Sequence, residues 1–150
     1  MAFPAVGVGP LRLEAPGYLL RLQARLAAGD LTGVRSGLDS LAAIRRGLRP
    51  QDVAMGAFYQ ETWLRVQVGD TTAAVEALDR MFADLAQLSA RVLLDVTDSA
   101  ALVRALALRA TLDGGRGPVG RRWAQAVSTL WRDAAPELAP LTRAMQALGG

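Results

Sequence analysis

The chain lacks cysteine and histidine, and its 150 residues also contain no lysine and no asparagine. Without a thiol, an imidazole or an ε-amine, it has no Cys or His nucleophile, no Schiff-base amine, and no sulfur or imidazole ligand for zinc, copper or haem. All 17 basic residues are arginines, set against 14 acidic residues. These absences argue against an enzyme. We therefore predict no catalytic residues, no cofactor and no metal site.

Two short motifs remain as candidates for chemistry. Asp95 and Asp98 form a carboxylate pair, but a hard cation needs further oxygen ligands from elsewhere in the chain. Residues 114–117, Gly-Gly-Arg-Gly, precede a predicted helix, where backbone amides can bind phosphate. An aspartate before a helix is more often an N-cap, and a glycine-rich run between helices is more often a turn. We interpret both motifs as structural.

The balance of charge limits the classes of partner. The net charge is +3, and the only adjacent arginines are Arg45-Arg46 and Arg121-Arg122, so a dense basic surface for nucleic acid is not expected. The longest uncharged run, residues 1–11, is too short to span a bilayer. We predict no nucleic-acid partner and no membrane insertion. Without cysteine to indicate a redox compartment, a cytoplasmic location and the extracellular location of a processed filament subunit both stay open.

Hydrophobic spacing indicates α-helices along almost the whole chain, because apolar residues recur at steps of three and four. The predicted helices span residues 18–28, 31–47, 52–68, 71–88, 98–112, 118–130 and 136–148. Gly29, Gly69 and Gly115 are predicted in the tight turns between paired helices. Residues 89–97 fit a strand, a loop or a helical extension. The predicted fold class is all-α.

The helix pairs carry an internal repeat. From residue 29 to residue 69 the offset is 40 residues, which lies in the range of helical-hairpin repeats. The matched dipeptides at this offset are Gly29-Asp30 with Gly69-Asp70, and Leu38-Asp39 with Leu78-Asp79. A third hairpin turns at Gly115. The sequence therefore predicts a short array of similar helical hairpins.

On these features the chain resembles the tetratricopeptide (TPR) family. The resemblance lies in the Gly-Asp turn, in a small residue five positions after the glycine, and in an apolar residue four positions further on. The small residues are Val34, Ala74 and Gly120, and the apolar residues are Leu38, Leu78 and Ala124. Residues 130–138 resemble the last unit and capping helix of bacterial TPR modules. Over residues 17–148 the resemblance implies a TPR-like, right-handed array of about three hairpins plus a C-terminal capping helix.

The resemblance also implies a concave groove that binds protein. One stripe of the first helix in each hairpin would face that groove. Its residues are Leu19, Gln23, Leu26, Tyr59, Trp63 and Val66. Core packing is an equal alternative for these side chains. Phe58 and Trp123 lie on the main apolar stripes, and we expect them in the core.

The two ends of the chain suggest self-association. Residues 1–16 are predicted to form an extended apolar arm, because three prolines restrict its backbone. Its apolar residues are Phe3, Val6, Val8, Leu11 and Leu13. At the other end, the residues of a predicted C-terminal interface are Leu138, Leu141, Met145 and Leu148.

Two uncapped ends favour contact between copies of the chain. End-to-end contact produces a homo-oligomer or a helical filament, here with the arm docking on a neighbouring subunit. The alternative is a monomeric adaptor that binds a segment of another protein in its groove. Both hypotheses describe a non-enzymatic scaffold for protein–protein interaction.

Overall fold

A computed structural model describes residues 11–47, 53–83, 85 and 94–150, with the backbone alone for residues 11–15. Seven α-helices lie within these residues, and a 3-10 turn at Pro136–Leu138 precedes the last helix. They are α1 Leu11–Ala27, α2 Leu31–Arg45, α3 Met55–Gln67, α4 Thr71–Ala83, α5 Val96–Asp113, α6 Pro118–Leu130 and α7 Ala139–Gly149. The described part of the chain contains no strand. The all-α prediction is confirmed.

The start of α1 differs from the predicted boundary. The helix begins at Leu11 and contains Pro16, so residues 11–16 are helical and not extended. Proline removes one backbone donor and disturbs a helix locally, but it does not prevent a helix from forming on both of its sides. Of the predicted arm residues, Leu11 and Leu13 therefore belong to α1. Phe3, Val6 and Val8 lie outside the described residues.

Glycines form the turns between paired helices, as predicted. Gly29 and Gly69 have φ of +79° and +80°, a region that other residues rarely adopt. After each glycine, the aspartate amide donates to the carbonyl five residues back, which is Arg25 for Asp30 and Arg65 for Asp70. This pattern is the Schellman motif that ends many helices. The third turn uses positive φ at Gly114 and Gly115.

Each hairpin packs on the one before it. The helix pairs are α1 with α2, α3 with α4, and α5 with α6. The first helix of a hairpin contacts both helices of the preceding hairpin: α3 contacts α1 and α2, and α5 contacts α3 and α4. α7 continues this order by contacting α5 and α6. The helices therefore follow one another as a linear array.

Apolar side chains form two core clusters along the array. The buried members of the first cluster are Leu19, Leu22, Val34, Leu38, Leu64 and Val68. The second, larger cluster spans α3 to α7 and includes Phe58, Leu78 and Ala124. Trp123 is half-buried, with its ring centroid 5.0 Å from that of Phe82. The repeated small and apolar positions are therefore core positions, because each lies where two helices approach closely.

Candidate functional surfaces and buried ion pairs

A buried arginine joins α2, α3 and α4. The side chain of Arg65 is 6% exposed, and its guanidinium donates to Asp70 Oδ2 at 2.6 Å and to the Leu38 carbonyl at 3.1 Å. It also donates to Asp39 Oδ1 at 3.3 Å. A charge removed from water is stable only when hydrogen bonds and opposite charges replace the lost hydration. Here three acceptors from neighbouring turns and helices supply that replacement.

The same arrangement recurs one hairpin further on. Arg109 of α5 is 7% exposed, and it donates through Nε and an NH2 group to the two oxygens of Asp79 at 2.7 and 3.2 Å. This hydrogen bonding raises the pKa of Arg109 above its ordinary value. Asp39 and Asp79 are the aspartates of the repeated Leu-Asp dipeptide. At each of the two junctions, an aspartate of one hairpin therefore forms a salt bridge with an arginine of the next.

Sequence reasoning found the repeated aspartates but missed their arginine partners. The signal was present, because Arg25 and Arg65 are separated by the same 40 residues as the two turns. The spacing alone does not show that the side of the helix with the arginine contacts the neighbouring hairpin.

Glu61 is a second buried charge at the junction of the first two hairpins. Its Oε2 accepts from the Arg45 guanidinium, and its Oε1 lies 3.9 Å from Arg65 Nε. Burial raises the pKa of Glu61, and the charges of Arg45 and Arg65 oppose that rise. The carboxylate lies in the interior between α2 and α3, out of reach of a dissolved substrate. We assign it a structural role.

The carboxylate pair of the sequence caps a helix. Asp95 precedes α5, and its Oδ1 accepts from the amides of Thr97 at 2.8 Å and Asp98 at 3.1 Å. Asp98 Oδ1 lies 3.4 Å from the amide of Gly56 on α3. The structural interpretation of the pair is confirmed, but α5 begins two residues before the predicted start at residue 98, so its N-cap is Asp95 and not Thr97 or Asp98. Within the described residues there is no group of three or more potential metal ligands.

The glycine-rich turn before α6 is occupied by a side chain of the protein itself. Asp113 Oδ2 accepts from the amides of Gly117 at 2.9 Å and Gly120 at 3.2 Å. These are amides that a phosphate at the start of α6 would need. A resident carboxylate both uses those donors and repels an anion, so the interpretation as a structural turn is confirmed.

The residues predicted to line the groove do not form one free stripe. Leu19 is 1% exposed and belongs to the first core cluster, so its assignment to the groove is wrong. Its side of α1 packs inward within the first hairpin. Leu26 and Trp63 are half-buried against the same cluster, and Tyr59 is half-buried against the second. Gln23 and Val66 are half-buried.

The predicted C-terminal interface is largely an internal surface. Met145 is 1% exposed in the second core cluster, and Leu141 and Leu148 pack against that cluster. Leu138 is half-buried before α7. The stripe faces inward because α7 lies on α5 and α6, where Gln125 Nε2 also donates to the Gly149 carbonyl at 2.8 Å. α7 therefore packs on the array with the same stripe that the sequence predicts as an interface with another copy.

The opposite end of the array presents an exposed helix face. We call it the α1 outer face, and its residues are Gly17, Leu20, Arg21, Ala24, Arg25 and Ala28. Leu20 is 66% exposed and is the large apolar side chain of this face. Arg25 has a carboxylate of its own turn nearby, with 3.8 Å between its Nη1 and Asp30 Oδ2. This face combines small residues, one apolar side chain and two positive charges.

A further surface depression has no charged side chain in its lining. An open depression between α6 and α7 is lined by uncharged residues only, namely Gln125, Ser128, Thr129, Gln146, Gly149 and Gly150. Among the described residues, no helix has the length and apolar character needed to cross a membrane. No protein-family model, no curated protein and no solved structure matches this chain.

Proposed function

We propose that this chain is a non-enzymatic, TPR-like helical-repeat scaffold that binds another protein. Two features support the proposal. The buried charged side chains of the described residues form links between helices, and Arg65 and Arg109 link successive hairpins. The helices also pack in a linear order, which is the architecture of repeat proteins that bind partners along an extended surface. A right-handed, TPR-like superhelix is part of this proposal.

The choice of partner rests on the exposed charges at the two ends of the array. Contact between copies end to end needs two complementary surfaces. The apolar stripe of α7 is used internally, and the exposed Arg143 is the one charged residue of that helix. The α1 outer face is also positive, with Arg21 and Arg25. Because α7 itself offers no carboxylate to pair with Arg21 and Arg25, contact between these two helix faces lacks complementary charge, which favours an adaptor for another protein over a filament of identical chains.

Light scattering over a concentration series tests this choice. We expect the mass of a single chain at every concentration. A mass that grows with concentration would support self-association instead. The triple variant Phe3→Ser, Val6→Ser, Val8→Ser would then show whether residues of the predicted arm are responsible.

Site-specific crosslinking tests the scaffold function itself. A photoreactive benzoylphenylalanine replaces Gln23 in the predicted groove, and a matched variant carries it at Arg104, which is exposed on α5. In an extract of the cells from which the chain comes, we expect one protein adduct at position 23 and none at position 104. The absence of an adduct at position 23, or equal adducts at both positions, would contradict binding through the groove.

A further inference from the structure

The two internal junctions show what covers the outer side of a first helix. In α3, the residues on the side of the first hairpin are Ala57, Glu61, Leu64, Arg65 and Val68, all buried or half-buried. Forty positions earlier stand Gly17, Arg21, Ala24, Arg25 and Ala28, and all of these are exposed. The α1 outer face is therefore the same side of a first helix, and no hairpin of the described residues lies in front of it.

Arg25 occupies the position of the junction arginines. Its side chain is 57% exposed, whereas Arg65 and Arg109 are 6% and 7% exposed. Arg65 binds one aspartate of its own turn, Asp70, and one from the second helix of the preceding hairpin, Asp39. Arg25 has the first of these two partners in Asp30. A helix packed on the α1 outer face would supply the second carboxylate to Arg25.

Arg21 specifies a second position in the occupant. It stands where α3 has Glu61, and Glu61 pairs with Arg45 of α2. At the next junction the corresponding residues are Ala105 and Leu85, and both belong to or pack against the second core cluster. Opposite charges face each other at the first junction and apolar residues occupy both positions at the second. The Arg21 guanidinium lies 5.6 Å from the Tyr18 ring on its own helix, and its charge is unpaired by any carboxylate of the described residues. By the same complementarity, a carboxylate on the occupant would pair with it.

We infer that the α1 outer face binds an amphipathic helix of another protein that carries two carboxylates six residues apart, the spacing of Asp39 and Arg45 in α2. One carboxylate pairs with Arg25 and the other with Arg21, while small or apolar residues between them pack on Leu20 and Ala24. The inference rests on the proposed scaffold function and names the partner's chemistry.

A second copy of this chain does not supply such a helix. Asp39 and Asp79 are already engaged by Arg65 and Arg109 at the internal junctions. In the third hairpin, the tenth residue after Gly115 is Gln125, which bonds to the Gly149 carbonyl under α7. One pair of acidic residues among the described residues has the required spacing, Asp70 and Glu76, and Arg65 already binds Asp70. The described residues thus offer no free pair of carboxylates at this spacing, and the occupant is a different protein.

The test uses a peptide built on the chain's own junction helix. The probe is a fluorescent peptide of residues 30–47 with Arg45→Glu, held helical by a bridge on its opposite side, and binding to the full chain is followed by anisotropy. We expect Arg25→Glu in the protein to weaken binding at least about tenfold. The peptide that also carries Asp39→Arg should restore binding to that variant. The matched control, Arg104→Glu, should leave the affinity unchanged.

A second pair of measurements examines Arg21 in the same way. The variant Arg21→Glu should prefer the peptide with the native Arg45 over the Arg45→Glu peptide, which reverses the preference of the native chain. Circular dichroism of each variant should match that of the native chain, because both arginines are exposed.

Four results would overturn the inference. The first is an unchanged peptide affinity in the Arg25→Glu variant, and the second is an equal loss of affinity in the Arg104→Glu variant. The third is displacement of the peptide by a single-stranded DNA of the same charge at equal concentration. The fourth is peptide binding that occurs only after residues 1–10 are deleted. The third would show a general anion-binding surface, and the fourth would make the chain's own N-terminus the occupant. None of these results affects the crosslink at position 23, so failure of this inference is distinguishable from failure of the scaffold function.

Discussion

At the scale of single residues, buried arginines hold successive hairpins together. Arg65 and Arg109 each lie at a junction, and each receives a carboxylate from the preceding hairpin. The arginine is well suited to this position because its planar group donates in several directions at once. Asp39 itself remains largely exposed, so within the Arg65–Asp39 pair the desolvation falls mainly on the arginine.

Replacing a junction arginine should destabilise the whole chain. We expect Arg65→Ala to lower the free energy of unfolding by about 2–3 kcal/mol. The Leu38 carbonyl and the Asp70 carboxylate each lose a hydrogen-bond donor, and a packed side chain is removed. Arg25→Ala, at the matching but exposed position, should change it by less than about 0.5 kcal/mol. Urea denaturation measures both. Equal effects of the two substitutions would show that the junction contact is energetically unimportant.

At the scale of elements, the turn glycines determine where α1 and α3 end. The backbone at Gly69 has φ of +80°, and a β-carbon there would meet no other atom within 4 Å. Any cost of a larger residue therefore comes from the backbone conformation alone.

A pair of Gly→Ala substitutions separates this effect from helix propensity. Gly69→Ala should lower the free energy of unfolding by about 1–2 kcal/mol, the cost of a left-handed backbone for a residue with a β-carbon. Gly56→Ala, inside α3 and also with open space around it, should be neutral or stabilising by up to about 1 kcal/mol. Thermal denaturation followed by circular dichroism gives the sign of each change. A loss of stability in both variants would contradict this assignment.

Amphipathic stripes show the limits of reasoning from an element by itself. The stripe of α7 and the residue Leu19 of α1 are apolar and regularly spaced, which fits an internal core and an external interface equally well. In the structure both face inward. The exposed side of α1 is instead the stripe with alanines and arginines. Hydrophobic periodicity does not indicate this stripe as an interface.

At the scale of the whole molecule, stability should come from packing and ion pairs without a bound metal. The junction carboxylates Asp39, Glu61, Asp70 and Asp79 pair with arginines, and the described residues contain no cluster of metal ligands. Adding a chelator, Mg²⁺, Ca²⁺ or Zn²⁺ should shift the melting temperature by less than about 1 °C, because only a ligand that binds the folded state raises stability. A chelator-induced drop of several degrees would reveal a site that these residues do not show.

The sequence by itself determined the elements of this protein. Helical periodicity and glycine turns depend on interactions within about four residues, so the all-α class and the turns at Gly29, Gly69 and Gly115 followed from local pattern.

Only the tertiary structure decided which surfaces are internal and which charges pair. Arg65 meets Asp39 across 26 residues of sequence, and Arg109 meets Asp79 across 30. Such contacts depend on how whole helices rotate against each other, and several rotations satisfy the same apolar spacing. The start of α1 before Pro16 also differs from the sequence prediction, because a proline disturbs a helix locally without preventing a helix on both of its sides. Because apolar spacing leaves those helix rotations open, the buried Leu19 and Met145, and the exposed Arg25, became evident only when the hairpins were seen packed together.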